Sequence, residues 1–363
     1  MPAQFTAFDQ LAMARALELA EQGLASTHPN PRVGCVIARD GRIVGEGWHE
    51  RAGAAHAEVM ALAAAGAAAV GASVYVTLEP CSHFGRTPPC ADALIEARVA
   101  RVVFAIEDPN PRVAGGGALR LRQAGIAVQS GLLAREAEEL NSGYLSRMRH
   151  RRPWVRIKLA MSLDGRTALA NGSSRWITGE AARIDVQQWR ARSSAVLTGI
   201  GTILADDPRL DVRLDAARRQ PLRIVLDSHL RTPPAARILA RPGEVLLFTS
   251  NDDAARRSVL ERHGAKVERL AAPRPELGAV LARLAELEIN EVLVEAGPTL
   301  AGAFVQAGHA DEVLLYVAPV LLGPQARPLL QLGELSELAQ GRRFTLTDMC
   351  TIGADLRLRL RPE

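Results

Sequence analysis

Four residues in the first quarter of the chain could together bind a metal ion and move protons. His56 is followed two positions later by Glu58, and two cysteines follow at Cys81 and Cys90. One imidazole and two thiolates are zinc ligands, and three such ligands leave the fourth position of the ion open to water. Glu58 is then a spare carboxylate that can take a proton from that water and pass it to a leaving group. The set predicts zinc-dependent hydrolysis.

Two other interpretations of these residues are a structural zinc site and ordinary buried cysteines. A structural site usually has four protein ligands, and His83 could be the fourth. Glu58 and Pro80 favour the catalytic interpretation, because a structural site requires neither. We expect Cys81 and Cys90 each to precede a helical turn, where the pKa of a thiol is lowered.

The spacing of the two cysteines distinguishes this motif from a more common one. The pattern H-x-E with P-C-x-x-C is typical of zinc-dependent base deaminases, whereas here eight residues, Ser82 to Pro89, separate the cysteines. Upstream, two prolines stiffen the loop 28–34, in which Asn30 offers a donor and an acceptor to a heterocycle. His49 is either a pocket residue or a surface residue.

Composition limits the class of protein. The chain has 363 residues, of which 48% are hydrophobic and 23% charged, so we expect two domains with packed cores. A net charge of +4 is weak evidence for nucleic-acid binding, and four cysteines do not indicate a disulfide framework. We see no signal peptide and no apolar run of transmembrane length, and we expect a cytoplasmic protein without a membrane partner.

The first part of the chain alternates between helices and strands, which predicts a mostly parallel or mixed sheet with helices on its faces. A turn at Asp40-Gly41 joins the first two strands, and Gly115 to Gly117 form a loop. Helices are expected at 9–22, with Asp9 as N-cap, and at 56–69, 91–97 and 118–124. Strands are expected at 33–37, 43–46, 73–78, 102–106 and 127–130, the last closing the region.

The basic stretch 147–153 ends in a proline and is interpreted as a connector between domains, since a tail that binds nucleic acid is less common in so short a segment. Domain boundaries are therefore expected at 1–146 and 154–363. The second part repeats the α/β pattern. Its strands are expected at 154–160, 195–198, 224–227, 245–249, 291–295 and 312–317, and its helices at 180–191, 253–263, 277–287 and 300–307.

Residues 1 to about 146 resemble the cytidine-deaminase-like fold, and the combination of the zinc motif with Gly85-Arg86-Thr87-Pro88-Pro89-Cys90 resembles the deaminases of riboflavin biosynthesis. The second half is similar to their reductase partner, whose fold is similar to dihydrofolate reductase. The matching stretches are 158–166, 176–178, 204–208 and 294–300. The resemblance covers nearly the whole chain, with both domains in the expected order, and implies a bifunctional α/β enzyme.

The resemblance implies two consecutive reactions on small phosphorylated pyrimidines. The first hydrolyses an amino group from 2,5-diamino-6-(5-phosphoribosylamino)pyrimidin-4(3H)-one, with Glu58 as catalytic residue and one Zn2+ held by His56, Cys81 and Cys90. The second reduces the ribosyl side chain with NADPH and gives 5-amino-6-(5-phosphoribitylamino)uracil. Members of this family are commonly homo-oligomers, so a dimer or tetramer is expected.

The resemblance also assigns residues of the second half. A Rossmann fingerprint is incomplete there, because Leu204 occupies the third glycine position after Gly199 and Gly201. The turn into a helix at Gly297 suits a phosphate, and we expect it to hold the cofactor pyrophosphate. The implied NADPH residues are Ala160, Trp176, Thr202, Asp206, Ser228, Gly297, Pro298, Thr299, Leu300, Ala301, Gly302 and Ala303. The implied substrate residues are Asn30 in the first half and Ser174, Arg190, Leu210, Arg213 and Glu295 in the second, with Arg190 and Arg213 as phosphate partners.

Two other functions fit the sequence less well. A tRNA base deaminase with an accessory domain would have the shorter cysteine spacing, and this chain has neither a strong basic stripe nor an aromatic stacking platform, so no nucleic-acid partner is expected. A zinc-stabilised interaction module fused to a reductase would have no need of the free carboxylate of Glu58.

Overall fold

The structure of the chain, a computed structural model, describes residues 5–82, 89–111, 113–215, 219–240, 242–270 and 273–363. His83 and the stretch Gly85 to Pro88, both singled out above, lie outside these residues. The chain divides between Arg151 and Arg152 into two compact units. None of the described helices combines the length and the apolar composition needed to cross a membrane.

The first unit is a mixed five-stranded sheet with helices. Its helices are α1 (Ala7–Glu21), α2 (Ala57–Ala65), α3 (Cys90–Glu96), α4 (Gly116–Gln123), α5 (Ala134–Leu140) and α6 (Ser142–His150), and a 3-10 turn follows α2 at Gly66–Ala69. Its strands are β1 (Gly34–Arg39), β2 (Arg42–Trp48), β3 (Ser73–Leu78), β4 (Arg101–Ile106) and β5 (Ala127–Ser130). The strand order is β2-β1-β3-β4-β5, in which β1 pairs antiparallel with both neighbours and β3, β4 and β5 are parallel.

The N-cap of helix α1 lies three residues before the predicted one. Thr6 is the N-cap, its hydroxyl accepts from the amide of Asp9 at 3.1 Å, and the Asp9 carboxylate accepts from the amide of Thr6 at 2.8 Å. This reciprocal pair is a capping box, which satisfies two amides that the first helical turn leaves without acceptors. The prediction of Asp9 as N-cap was wrong because Asp9 fills the N3 position of the same motif.

Small residues allow the helices of the first unit to lie directly on its sheet. A Cβ atom on Gly34 would come within 1.9 Å of the carbonyl oxygen of Ala16 in α1, and one on Gly47 within 2.6 Å of the carbonyl oxygen of Ala57 in α2. Ala57 and Ala61 are fully buried on the matching face of α2. Because a side chain on Gly47 would push the first turn of α2 away, this glycine fixes the position of the helix start that carries His56 and Glu58.

Several elements of the first unit differ from the prediction. Gly116 and Gly117 belong to α4 rather than to a loop, and the strand at 127–130 is followed by α5 and α6 instead of closing the region. Within the predicted connector 147–153, residues 147–150 form the last turn of α6. The prediction gave weight to the glycines at the start of α4 and to the basic charge at the end of α6. Burial of Tyr144 and Leu145 stabilises α6 in spite of that charge.

The second unit is built on a nine-stranded sheet in the order β11-β10-β9-β8-β12-β6-β13-β16-β15. The strands are β6 (Trp154–Ser162), β7 (Arg166–Ala168), β8 (Ala195–Gly199), β9 (Leu222–Leu226), β10 (Val245–Thr249), β11 (Ala265–Arg269), β12 (Glu291–Val294), β13 (Glu312–Ala318), β14 (Arg327–Pro328), β15 (Phe344–Ile352) and β16 (Asp355–Pro362). The helices are α7 (Glu180–Arg192), α8 (Ile200–Asp206), α9 (Ala254–Arg262), α10 (Leu277–Glu286) and α11 (Pro298–Gln306), with a 3-10 turn at Leu338–Gln340. The strands from β11 to β13 are parallel, β16 and β15 are antiparallel, and β7 pairs with β14 apart from this sheet.

A buried ionic network joins four strands of this sheet to helix α7. Arg156 of β6 is 1% exposed and contacts Glu291 of β12 at 3.1 Å and Glu312 of β13. Arg359 of β16 also donates to Glu312, at 2.6 Å, and the guanidinium of Arg156 lies 4.6 Å from the ring centroid of Trp189. Each buried charge therefore has an opposite charge beside it, which is the condition under which burial of charged groups is tolerated.

The sequence prediction missed α8, β11 and the C-terminal hairpin of β15 and β16. The hairpin carries a period-two signal, because Leu356, Leu358 and Leu360 alternate with Arg357 and Arg359. Such alternation is typical of a strand with one face on the protein. The arginines made the segment look polar, although they reach back to carboxylates of the sheet and of α7.

We predict that Asp9→Asn destabilises the first unit in a pH-dependent way. Burial opposes ionisation of Asp9, but hydrogen bonds from Arg101 at 2.6 Å, Tyr75 at 2.6 Å and the Thr6 amide outweigh it and hold the pKa of this carboxyl well below its usual range. A lowered pKa stabilises the fold above the ordinary carboxyl pKa of about 3.9, and the contribution disappears as pH falls through the folded-state value. The expected loss at pH 7 is on the order of 2 kcal/mol.

Denaturant unfolding of wild type and Asp9→Asn between pH 7 and pH 3 tests this expectation. The difference between the two should be constant down to about pH 4 and should shrink below it. Glu18→Gln is the matched control, since Glu18 is an exposed acid of the same helix. A difference that stays constant to pH 3 would contradict the assigned role of the Asp9 carboxylate.

Candidate active sites

Three side chains of the first unit converge on one point. The Nδ1 atom of His56 lies 3.1 Å from Sγ of Cys90 and 3.6 Å from Sγ of Cys81, and the three ligand atoms all lie within 4.8 Å of one another. Zinc bonds of about 2.3 Å to sulfur and 2.0–2.1 Å to nitrogen in tetrahedral geometry place neighbouring ligand atoms about 3.6–3.8 Å apart. The cluster therefore fits zinc in both ligand chemistry and size.

Ends of strands and starts of helices bring these ligands together. His56 is the N-cap of α2, Cys90 is the first residue of α3, and Cys81 follows β3 in a segment without helical structure. The predicted helical turn is found at Cys90, whereas the residues that follow Ser82 lie outside the described part of the chain, so the prediction for Cys81 stays a prediction. Its sulfur receives a helix-terminal amide, because the N–H of Cys90 points at Cys81 Sγ over 3.3 Å.

The electrostatics of the cluster favour a thiolate at Cys81. Its pKa is lowered, first by a hydrogen bond from the Cys90 thiol and further by His56 and the Cys90 amide. The pKa of Cys90 is raised by the same thiol–thiol hydrogen bond and by burial, and the pKa of His56 is raised mainly by Cys81. The Cys81 thiolate is thus stabilised by protons of its neighbours. A metal ion can take the place of those protons, because metal binding releases protons from its ligands.

Glu58 lies beside this cluster as a buried carboxyl group. It is 3% exposed, and burial raises its pKa to about 7. A carboxyl group with a pKa near the working pH can both accept and donate a proton. Glu58 is therefore placed and tuned for proton transfer next to the three ligands, as the sequence predicted for a spare carboxylate.

Asn30 and His49 form a polar wall next to the metal ligands. The Nδ2 atom of Asn30 lies 3.0 Å from Nε2 of His49, whose Nδ1 lies 3.1 Å from the carbonyl oxygen of Ala55. The His49 ring is 3% exposed and meets the His56 ring edge to face at 5.4 Å between centroids. The sequence left open whether His49 is a pocket residue or a surface residue, and the structure buries it between Asn30 and His56.

Glu79 positions the backbone that carries Cys81. This buried carboxylate accepts from the amides of Gly115 and Ala118, both at 3.0 Å, and so ties the end of β3 to the start of α4. A Cβ atom on Gly117 would lie 1.8 Å from the carbonyl oxygen of Pro80. Sequence reasoning missed both residues, although a carboxylate directly before Pro80-Cys81 and three successive glycines were visible signals.

The second unit holds a large cavity at the edge where its parallel strands end. Its volume is about 1550 Å³, and its walls include residues that follow β8, β9 and β12. The carboxyl ends of parallel strands are where ligands bind in open α/β sheets.

Of the seventeen residues of the second unit predicted to bind the cofactor or the substrate, fifteen line this cavity and two do not. Ala301 and Gly302 are buried instead, and a Cβ atom on Gly302 would lie 2.2 Å from the carbonyl oxygen of Gln331. The residues that do line it are Ala160, Ser174, Trp176, Arg190, Thr202, Asp206, Leu210, Arg213, Ser228, Glu295, Gly297, Pro298, Thr299, Leu300 and Ala303.

The start of helix α11 is open to the cavity. Gly297 is its N-cap, a Cβ atom there would meet nothing within 4 Å, and Pro298 occupies the first helical position. The amides of Thr299 and Leu300 belong to the first turn, whose N–H groups have no acceptor within a helix. A backbone free of side chains next to such amides suits a phosphate group.

Arg190, Glu295 and Lys158 form a charged group on the cavity wall. Arg190 is 8% exposed and bonds both carboxylate oxygens of Glu295, at 2.5 and 2.9 Å, while its Nη1 donates to the carbonyl oxygen of Asp211 at 3.0 Å. Burial lowers the pKa of Lys158, and the charge of Glu295 opposes this. Arg190 therefore holds Glu295, and two of its three guanidinium nitrogens are committed to that carboxylate.

Lys158 is the residue of this group that sequence reasoning did not assign. The signal was present, because the chain has only two lysines and one of them lies inside the largely apolar strand β6. Arg213 is more accessible than Arg190, and it shares the Asp211 carboxylate with Arg209 at 2.7 and 2.8 Å.

Two family profiles match the chain in the order that the two sites suggest. Residues 6–106 match the cytidine and deoxycytidylate deaminase zinc-binding region, and residues 153–358 match the RibD C-terminal domain. The predicted cytidine-deaminase-like first domain is thereby confirmed. The alternative of a tRNA base deaminase did not predict the match of residues 153–358 to a RibD C-terminal domain.

Relatives that match this chain over nearly its full length are riboflavin biosynthesis proteins named RibD. The riboflavin biosynthesis protein RibD of Escherichia coli is 50% identical over 97% of this chain and 99% of the relative, and that of Bacillus amyloliquefaciens is 44% identical over 98% and 96%. A structure of Acinetobacter baumannii RibD is similar at 48% identity, with a TM-score of 0.92 over 98% of this chain and 99% of the other. A Thermotoga maritima diaminohydroxyphosphoribosylaminopyrimidine deaminase/5-amino-6-(5-phosphoribosylamino)uracil reductase is similar at 34% identity, with a TM-score of 0.88 over 98% and 99%.

We predict that Gly117→Ala lowers zinc retention by the first unit. The added methyl group would collide with the carbonyl of Pro80, so the backbone at Cys81 must move away from its place beside His56. Displacement of groups that support metal ligands typically costs 10–100-fold in metal affinity. Zinc per chain would be measured by elemental analysis after dialysis against graded chelator.

Gly116→Ala is the matched control, because its methyl group would meet only the Ser82 side chain, whose hydroxyl can rotate. Equal zinc retention in both variants would show that the Pro80 contact does not position Cys81.

Proposed function

Because this chain belongs to the RibD family, it is a bifunctional deaminase and reductase of riboflavin biosynthesis, and we propose that its two sites act in turn on one small phosphorylated pyrimidine. The first site hydrolyses an amino group from 2,5-diamino-6-(5-phosphoribosylamino)pyrimidin-4(3H)-one. The second reduces the ribosyl side chain with NADPH to give 5-amino-6-(5-phosphoribitylamino)uracil. The observation that carries the first step is the buried Glu58 beside the His56, Cys81 and Cys90 cluster.

Each residue of the first site has a role in hydrolytic deamination. His56, Cys81 and Cys90 would hold a zinc ion, which would supply the Lewis acidity that makes water a nucleophile near neutral pH. The Glu58 carboxylate accepts a proton from the attacking water and delivers it to the departing amine. Asn30, held by His49, presents its amide to the edge of the pyrimidine.

The second site matches a dinucleotide and a sugar phosphate. NADPH supplies the hydride. Gly297, Thr299 and Leu300 would hold its pyrophosphate at the start of α11. The exposed indole of Trp176, which the Arg183 guanidinium covers at 4.7 Å, offers a flat face to a ring.

Lys158 is the group we assign to the proton that the reduction consumes. Hydride adds to C1′ of the ribose, the bond from C1′ to the ring oxygen breaks, and that oxygen takes up a proton. Lys158 lines the cavity, and burial lowers the pKa of its ammonium group, which eases proton release. Glu295, fixed by Arg190, orients the substrate beside it.

Neither nucleic acid nor a membrane is part of this proposal. The homo-oligomer expected from the sequence stays a prediction, which sedimentation of the full chain would test.

We predict that Glu58→Gln abolishes deamination and leaves reduction intact. The substituted amide would keep the size of the side chain but could not carry the proton, so the deamination rate should fall by at least about 10²-fold. Zinc content should stay at the wild-type level. Ammonia release from the diamino substrate and NADPH oxidation with the deaminated substrate would be followed separately. Loss of both activities in a folded variant would contradict the assignment of one reaction to each unit.

We predict that Arg213→Gln raises the KM for the phosphorylated substrate of the reductase by about tenfold with little change in kcat. Arg213 is the accessible arginine near Glu295, whereas Arg190 is buried and committed to that carboxylate. Arg209→Gln serves as control, because Arg209 contacts the same Asp211. The role of Arg213 in phosphate binding would be refuted by an unchanged KM.

A further inference from the structure

One face of the second sheet brings a lysine and a tyrosine together at the cavity. Strands β6 and β13 are parallel, and Lys158 lies opposite Leu314. Tyr316, two residues further along β13, lies opposite Ala160. Because side chains alternate along a strand, Lys158 and Tyr316 share one face of the sheet as diagonal neighbours. The Nζ atom of Lys158 lies over the ring of Tyr316, 6.0 Å from its centroid.

The hydroxyl group of Tyr316 is bound to helix α7. It donates to the carboxylate of Asp185 at 2.5 Å. That carboxylate also accepts from Arg357 of β16 at 3.0 and 3.1 Å and from the Trp189 indole at 3.2 Å, so its charge is already paired. Tyr316 is fully buried. Burial and this hydrogen bond together hold the ring in one orientation beside Lys158.

Burial and two charged groups act on the ammonium group of Lys158. Burial lowers its pKa, the charge of Glu295 opposes this, and the charge of Arg190 adds to it. Glu295 and Arg190 are bonded to each other at 2.5 and 2.9 Å, so their effects on a third charge partly cancel. Any further contact that favours the charged form then raises the fraction of Lys158 that keeps its proton.

The face of the Tyr316 ring provides such a contact. The π-system of an aromatic ring carries negative charge on its face, and an ammonium group within about 6 Å of the centroid is attracted to it. The attraction is stronger where the ammonium group is removed from water, as it is at Lys158. An aliphatic side chain in the same place would keep the lysine buried but would offer no negative face. An aromatic ring therefore suits a lysine that is both buried and charged.

We propose that Tyr316 is a positioning residue of the reductase site, and that the face of its ring keeps the Lys158 side chain protonated and in place for the reduction. This inference rests on the proposed role of Lys158 as the proton donor. A donor must carry its proton when the hydride is transferred, and burial alone would favour the neutral amine. Tyr316 acts through Lys158 and transfers no proton itself.

The composition of the chain permits a direct measurement of this effect. Lys158 and Lys266 are its only lysines, so the full chain labelled with 13C-lysine would give two side-chain Cε signals in nuclear magnetic resonance spectra. Each signal shifts when its own ammonium group loses its proton. The Lys266 side chain is 66% exposed and lies in β11, so it serves as an internal reference in the same sample.

Tyr316→Leu and Tyr316→Phe separate the ring from its hydroxyl group. At a fixed alkaline pH, the ratio of ammonium to amine at Lys158 should fall by about three- to tenfold in Tyr316→Leu, because leucine lacks the negative face. Tyr316→Phe is the matched control, since it keeps the ring, and its ratio should stay close to that of wild type. The titration of Lys266 should be the same in all three proteins.

A role of Tyr316 in packing alone would act in the opposite direction. Leucine is smaller than tyrosine, so it would admit water and would favour the charged form of Lys158. An unchanged or larger ammonium fraction in Tyr316→Leu would therefore overturn the inference, and so would an equal decrease in Tyr316→Phe. If Tyr316→Leu does not fold, Tyr316→Met gives the same comparison, because methionine is flexible enough to fill an irregular space and has no ring.

The pH dependence of reduction separates this inference from the proposed role of Lys158. With the deaminated substrate and NADPH, kcat should fall at high pH as Lys158 loses its proton, and this fall should begin at lower pH in Tyr316→Leu. If kcat of wild type follows the titration of Lys158 but neither changes in Tyr316→Leu, the inference fails and the role of Lys158 stands. If kcat of wild type does not follow that titration, Lys158 is not the proton donor, and the role of Tyr316 in the reaction fails with it.

Discussion

Both sites depend on one constraint of the backbone, which is that a strand ends where a helix begins. The first turn of a helix leaves amides without acceptors, and the chain around it must supply an anion or a polar side chain. In the first unit the amide of Cys90 points at the sulfur of Cys81, and in the second the start of α11 faces the cavity. A thiolate in the first unit and a phosphate in the second can each accept hydrogen bonds from amides of a first helical turn.

The two units stabilise these ends by opposite means. The first uses close contact, because Gly47 and Gly117 let backbone approach backbone and leave no room for a side chain. The second uses charge, because Arg156 and its carboxylate partners join neighbouring strands, and Arg190 holds Glu295 on the cavity wall. Close packing holds metal ligands in a tight cluster, whereas ion pairs leave a wider cavity for a large ligand.

Sequence reasoning found the elements that repeat a clear pattern. Strand β3 and strand β5 were predicted with their observed bounds, because each is a short run between turns. It failed where one local signal competed with a distant contact. The glycines at the start of α4 were predicted to form a loop, although Gly117 is in a helix and allows Pro80 to approach it closely. The arginines of β16 made that strand appear polar, because their carboxylate partners lie elsewhere in the chain.

The sequence by itself determined the chemistry of the first site, since His56, Glu58, Cys81 and Cys90 are few, local and of types that zinc hydrolysis requires. It also determined the order of the two domains. Only the tertiary structure decided how charges pair, because that depends on residues far apart in the chain. Arg190 was predicted for a phosphate and is found holding Glu295, while Lys158 meets that pair only because strands from distant segments lie side by side.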